Sequence, residues 1–256
     1  MRMCMFCGGK ASTLEDAWPL WLMKRFPVSD TARMDAELGG RNLGSWSTAK
    51  PRLLLKRLCH SCNNGWMSRL ENEAKPVVES ILDDKLEAID VSTQSTLAQW
   101  VVKTAMVLEA IDSNRHWFYS EDERQRMCAV RTLPQRTSVW IAKCVDQPNV
   151  YSAAKDLWTT SGDDGVHAFA ATMAFGSLAL QVVTIRTPAA IPANVAVTYD
   201  VREGPWDQIL VQLWPISQDT RVWPPSHGLA GVLGLEVLTE RLSPATQCSS
   251  GDALAV

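Results

Sequence analysis

The sequence lacks the marks of several large protein classes. It has no uninterrupted apolar run of membrane-spanning length: the longest, Leu97 to Leu108 and Val166 to Ile185, carry Lys103, His167 and Gln181 and are broken by Gly176. A spanning helix needs about 20 mostly apolar residues, so neither run is expected to cross a bilayer. Charge is nearly balanced, with 25 Lys and Arg against 28 Asp and Glu and a net of -3, which argues against a partner that binds polyanions over the whole surface. Internal repeats, a phosphate-cradling Gly-rich loop and a Gly-x-Ser-x-Gly nucleophile elbow are missing, so kinase and serine-hydrolase readings have nothing to rest on. The first residues show no secretory pattern, and the expectation is a cytoplasmic protein with reduced thiols.

What is present begins with size. At 256 residues, 46% of them hydrophobic, the chain has ample material for a packed core and is expected to form two units. The charge is split between them: residues 1–75 hold 12 Lys and Arg against 7 Asp and Glu, and the remainder 13 against 21.

The basic end also holds the strongest pattern in the chain. Cys4-Met5-Phe6-Cys7-Gly8-Gly9 is answered by Cys59-His60-Ser61-Cys62-Asn63-Asn64-Gly65-Trp66. Each half is a Cys-x-x-Cys followed by turn-forming residues, which lets the backbone curl round a tetrahedral cation while two thiolates point at it. Cys4, Cys7, Cys59 and Cys62 are therefore expected to hold one structural zinc; disulfide pairing is the alternative. Arg2, Lys10, Lys56 and Arg57 lie near the clips and either face phosphate or balance the -2 charge of a zinc with four thiolates. Cys128, Cys144 and Cys248 show no ligand spacing and read as ordinary thiols.

After the first clip comes Glu15-Asp16-Ala17-Trp18-Pro19-Leu20-Trp21-Leu22, and the second clip continues into Met67-Ser68-Arg69-Leu70-Glu71. In this order, these motifs resemble the zinc-containing HNH endonucleases of bacteria and phages, over Cys4 to about Glu71 with the link between unmatched. The resemblance implies a ββα-metal unit, in which a hairpin and one helix grip a divalent ion, Mg²⁺ or Mn²⁺, beside the structural zinc. It places a metal-ligating carboxylate at Glu15 and the general base at Asp16, where members of the family normally carry His. Asn63 stands where a family His completes the metal site from the helix. Asp at the base position is a weaker proton acceptor than imidazole unless its pKa is raised. Read without the resemblance, Glu15 and Asp16 are acids at a helix start and Asn63 is a helix cap. Arg57, Arg69 and Lys56 are the candidate phosphate contacts on DNA.

Between the clips, Pro27 to Pro51 is turn-rich and reads as loop with one short hairpin; Asn42 within it is either the family's middle Asn or a turn residue. Arg52 to Leu58 reads as a strand that delivers the second clip. Lys75-Pro76 is expected to end the first helix and set a boundary, because Pro disfavours helical geometry in the residue before it. A second helix follows, then a third over Leu97 to Ile111, apolar nearly all round and hence central. From Pro134 the period changes to that of strands, at Val139 to Val145, Val166 to Phe175, Leu178 to Arg186, Val195 to Tyr199 and Gln208 to Trp214, with Gly176-Ser177 as a hairpin turn. Trp214-Pro215 and Trp223-Pro224 with His227 read as packing of strand ends or a stacking cleft, and Gly231 to Arg241 as a last helix. The expected fold is α+β: an HNH-like unit at 1–75, a domain at 76–245 with helices over about 76–130 and antiparallel strands over about 138–225, and a flexible tail at 246–256.

The leading functional expectation is an HNH-like, metal-dependent endonuclease that hydrolyses DNA phosphodiesters. The alternative is a catalytically inactive zinc module that binds nucleic acid or a protein, with the C-terminal domain as a protein-binding surface in either case; less favoured is a purely structural zinc fold.

Overall fold

The computed structural model describes residues 2–26, 32–38, 41–48, 54–111, 117–146, 150–158, 166–187, 200–201 and 204–243. In chain order the elements are β1 (Thr13–Asp16), α1 (Leu20–Arg25), β2 (Ala32–Leu38), β3 (Arg41–Thr48), β4 (Leu54–Leu58), a widened π-type turn (Cys62–Met67), α2 (Ser68–Leu82), β5 (Ala88–Ile89), α3 (Val91–Glu109), α4 (Glu121–Val130), β6 (Thr137–Val145), β7 (Val150–Trp158), β8 (His167–Phe175), β9 (Leu178–Arg186), β10 (Asp200–Val201), α5 (Trp206–Ile209), β11 (Leu210–Trp214), β12 (Arg221–Val222), β13 (Leu229–Ala230), α6 (Gly231–Glu240) and β14 (Leu242–Ser243). The fold is mixed α+β. The strand expected at Val195 to Tyr199 and the tail at 246–256 lie outside the described residues.

The large sheet has the order β11-β6-β9-β8-β7-β2-β3, with β13 added to β6. Its ladders are antiparallel except for β2 on β7 and β13 on β6. Period-two alternation explains why both faces are covered. Phe169, Ala171, Met173 and Phe175 of β8, with Leu178, Leu180 and Val182 of β9, join the cluster that holds α3. Ala174, Ala179, Ala142 and Cys144 point the other way, onto Leu235 and Leu238 of α6. The near-continuous apolar run at Val166 to Ile185 is thus a hairpin buried on both faces, turning at Gly176, whose φ of +52° suits glycine.

Helix α3 is central, as its pattern predicts. It starts where the Asp90 side chain accepts the Thr93 N–H at 2.7 Å, and Trp100, Val101, Ala105 and Met106 are fully buried. Helix α4 opens with a capping box, Ser120 and Glu123 exchanging hydrogen bonds.

One local expectation needs correction and another is met in a longer form. Pro76 does not end the first helix: α2 runs from Ser68 to Leu82 with Pro76 inside it, so the expected boundary at residue 75 falls within a helix. The ring removes one backbone hydrogen bond, but Leu70, Ala74, Val78 and Ile81 form one buried face that continues past it. The stretch Pro27 to Pro51, read as loop with one short hairpin, contains β2 and β3, a longer hairpin paired from Ala32 with Thr48 to Leu38 with Arg41 and joined to the large sheet through Leu38 and Ala154. Ladder pairing in the sheet overrides the weak local pattern. Asn42 sits on β3 opposite Glu37.

The Trp-Pro segments pack. Trp223 is buried and its N–H donates to the Glu87 carbonyl at 2.9 Å, while His227 is exposed. Among the described residues no helix is long and apolar enough to cross a membrane.

Candidate metal centre and adjoining acidic site

The first clip is a tight loop closed by its own backbone. The Cys4 N–H donates to the Gly9 carbonyl at 2.6 Å and the Gly8 N–H to the Cys4 carbonyl at 3.0 Å; Gly8 takes φ +71°, which a side chain would disfavour. Met3 and Lys10 form a bridge across it. This loop is tied to the distant second clip by backbone bonds, Met5 N–H to the Arg57 carbonyl at 2.8 Å and Ser12 N–H to the Leu58 carbonyl at 2.9 Å, where β1 and β4 begin their antiparallel pairing. Phe6 meets Trp66 edge to face at 4.9 Å and seals the space behind the clips.

The four ligand sulfurs of Cys4, Cys7, Cys59 and Cys62 consequently lie within 4.8 Å of one another, with Cys7 and Cys59 at 3.5 Å. A tetrahedral ion bound to four sulfurs at about 2.3 Å places them about 3.8 Å apart, so this donor set fits a metal ion. Their surroundings differ. Burial pushes the Cys4 thiol up, but the backbone N–H groups of Cys7, Phe6 and Cys59 outweigh it and bring the pKa down to about 7. The Cys62 N–H points at the Cys59 sulfur at 3.4 Å. Cys62 itself is held well above the ordinary thiol value, first by burial, then by its contact with the Cys7 thiol and the charge of Cys4.

A fifth thiol stands beside them. Cys128 of α4 lies 3.7 Å from Cys62, sulfur to sulfur, and burial raises its pKa above the usual thiol value against the opposing contact with Cys62. Its reading as an ordinary thiol is corrected by this contact; sequence spacing has no means of showing a partner brought in by another helix.

Next to the clips lies an acidic group. Glu15 and Asp16 end β1, opposite Leu55 and Leu54 of β4, and so belong to a strand rather than to a helix start. Successive strand positions face opposite sides. The Glu15 pKa is raised: burial raises it, the Asn63 amide lowers it, Glu71 raises it and Lys103 lowers it. Asn63 caps no helix, since α2 is preceded by Met67; its amide N–H also donates to the Thr13 hydroxyl at 3.4 Å. The bond to Thr13 spans the two clips: one partner follows Cys7, the other follows Cys62.

Two residues that the motif reading left without a role complete this group. The Lys103 ammonium, 3% exposed, donates to Glu71 Oε1 at 2.8 Å, and both charges act on Glu15. The signal was in the sequence: a lysine in a helix apolar all round must find a carboxylate.

Of the candidate phosphate contacts, Lys56 and Arg69 are exposed. Arg57 is half-buried, its guanidinium 5.3 Å over the Trp117 ring, which Arg124 shares at 4.6 Å. Lys56 and Arg57 are adjacent on β4 and face opposite sides of it. His60 is exposed. Comparison with profiles of known protein families, with curated proteins and with solved structures finds no match for this chain.

Proposed function

We propose that this chain is a zinc-stapled, HNH-like endonuclease that hydrolyses DNA phosphodiesters with a divalent ion. The observation that carries the reading is the contact of Asn63 with β1: its amide donates to the Thr13 hydroxyl at 3.4 Å, two residues before Glu15, whose carboxyl it also stabilises. This contact joins the strand after the first clip to the turn after the second, the two positions from which the resemblance draws metal ligands. In this reading zinc is structural, held by Cys4, Cys7, Cys59 and Cys62. Mg²⁺ or Mn²⁺ beside Glu15 and Asn63 would absorb the charge that develops on the leaving oxygen. Asp16, at the position the resemblance gives the base, takes the proton of the attacking water, and the exposed Lys56 and Arg69 hold phosphate.

Supercoiled plasmid incubated with the protein and Mg²⁺, Mn²⁺ or Ni²⁺ tests it. Nicking that disappears in Asp16→Ala and Glu15→Gln supports the enzyme; nicking unchanged in both, or none with any ion, overturns it.

A second reading is favoured by one observation. Among the described residues only the four-cysteine cluster gathers three or more His, Cys, Asp or Glu ligand atoms, and Glu71 already has Lys103 as its cation. On this reading the clips form a non-catalytic module that binds nucleic acid or a protein. Gel shifts with random DNA across a salt series separate the two binding partners, because phosphate contacts weaken steeply with salt.

A further inference from the structure

Backbone N–H groups face three of the four clustered sulfurs. The Cys62 N–H donates to Cys59 at 3.4 Å, those of Cys7, Phe6 and Cys59 favour the anionic form of Cys4, and that of Gly9 does the same for Cys7. The Cys62 sulfur is different: what dominates its surroundings is burial and its contacts with other thiols, Cys128 among them at 3.7 Å. It is also one of the most enclosed of the four, 3% exposed. A metal-bound thiolate carries negative charge, and four of them on a divalent ion leave -2; a buried anionic sulfur without a donor is costly.

We infer that Cys128 is an outer-sphere member of the metal centre, whose S–H donates to the Cys62 sulfur and holds that ligand in place. The contact distance is 3.7 Å. Its placement is built into the fold. Arg124 lies one helical turn before Cys128, on the same face of α4, and its Nε donates to the Met5 carbonyl inside the first clip at 2.8 Å. The same residue stacks over Trp117, and Tyr119 at the entry to α4 is fully buried. Helix α4 is therefore fastened to the first clip while it presents a thiol to the second, and Cys128 reaches the centre from a part of the chain that neither clip occupies. Outer-sphere donors of this kind fix ligand orientation, and their loss costs about 10–100-fold in metal affinity. Cys128 is a positioning residue, not a fifth ligand: the group of mutually close ligand atoms comprises Cys4, Cys7, Cys59 and Cys62 only.

The inference rests on the cluster holding a metal, which elemental analysis of the full-length wild type reports independently. The experiment compares Cys128→Ser, which keeps a donor, with Cys128→Val and Cys128→Ala, which do not. Metal transfer to a chromophoric chelator is expected to accelerate about tenfold or more in the valine and alanine variants and to stay near the wild-type rate in serine. In protein substituted with Co²⁺, the sulfur-to-metal charge-transfer band is expected to move to lower energy in the valine variant, because a thiolate without a donor gives up its electrons more easily, and to return toward wild type in serine. If the alanine variant fails to fold, the valine and serine pair decides. Equal rates and spectra in valine and wild type overturn the inference, as does serine behaving like valine, which would make the role one of shape alone. A wild type without metal overturns this inference together with the metal-site reading; metal held with equal tenacity in all variants overturns this inference alone.

Discussion

The clip region and the large sheet are both well buried, yet they are held in different ways. In the sheet, β6, β8 and β9 place one set of side chains on α3 and the alternate set on α6, so stability comes from many interchangeable apolar contacts. In the clip region two short chain segments add Phe6, Trp18 and Trp66 to that core, but they are joined to each other by a few backbone bonds, β1 on β4, Met5 to Arg57 and Ser12 to Leu58, round four thiols whose spacing fits an ion. The first kind of order tolerates change in one contact. The second converges on a single centre, and that is where the candidate functional residues are gathered.

Metal removal is the strongest way to break this comparison. Chelation, or Cys59→Ser, is expected to abolish hydrogen-exchange protection at residues 2–26 and 54–67 while β6, β8 and β9 stay protected. Structural zinc in small modules contributes about 10–16 kcal/mol of apparent binding energy that is also folding energy. A sheet that loses protection at the same rate as the clips would show the two regions to be one cooperative unit.

The next largest effect lies where they meet, at the pair of Lys103 and Glu71 between α3 and α2. Lys103→Met leaves Glu71 charged and unpaired, and urea unfolding should report a loss of about 3–5 kcal/mol. The double variant Lys103→Met with Glu71→Leu should recover most of it. A single variant as stable as wild type would mean that this pair does not tie the regions.

Pro76 sharpens the comparison at the level of one helix. Pro76→Ala restores a backbone donor inside α2. The helix-interior penalty of about 3 kcal/mol, less about 1 kcal/mol of added freedom in the unfolded chain, gives an expected gain of about 1–2 kcal/mol, read as a rise in Tm. A fall in Tm would point to a packing role for the ring.

The smallest effect is at the surface. Arg131 binds Glu73 through both guanidinium nitrogens and holds the Glu73 carboxyl below its usual value. That carboxyl is 46% exposed, so solvent screening leaves about 0.5 kcal/mol or less. Because the folded pKa is depressed, the contribution is present above the ordinary glutamate range and fades as pH falls through the lowered value. Glu73→Gln should therefore flatten acid stability only slightly, and a shift as large as that of Lys103→Met would reverse the ranking.

Particular residues show how far the sequence could be read. The two Cys-x-x-Cys clips could be paired across their long separation because ligand chemistry demands four thiols at one ion. Alternation at β8 and β9, the turn at Gly176 and the all-apolar face of α3 were legible for a similar reason: each is a local periodicity set by burial. Of the β2 and β3 hairpin only a short form was legible, since its turn-rich residues gain their length and their place from pairing in the sheet. The continuation of α2 through Pro76 was not legible, because a buried face outweighed the local preference of one ring.

By itself the sequence determined which side chains need company: four thiols, a lysine in an apolar helix, acids beside the first clip. The tertiary structure alone decided which company they keep. It brought Asn63 to Thr13 beside Glu15, Glu71 to Lys103 and Cys128 to Cys62, pairs drawn from separate elements. Chain spacing encodes contacts along one strand or helix, whereas these arise only when β1, α2, α3 and α4 are packed round the same clips.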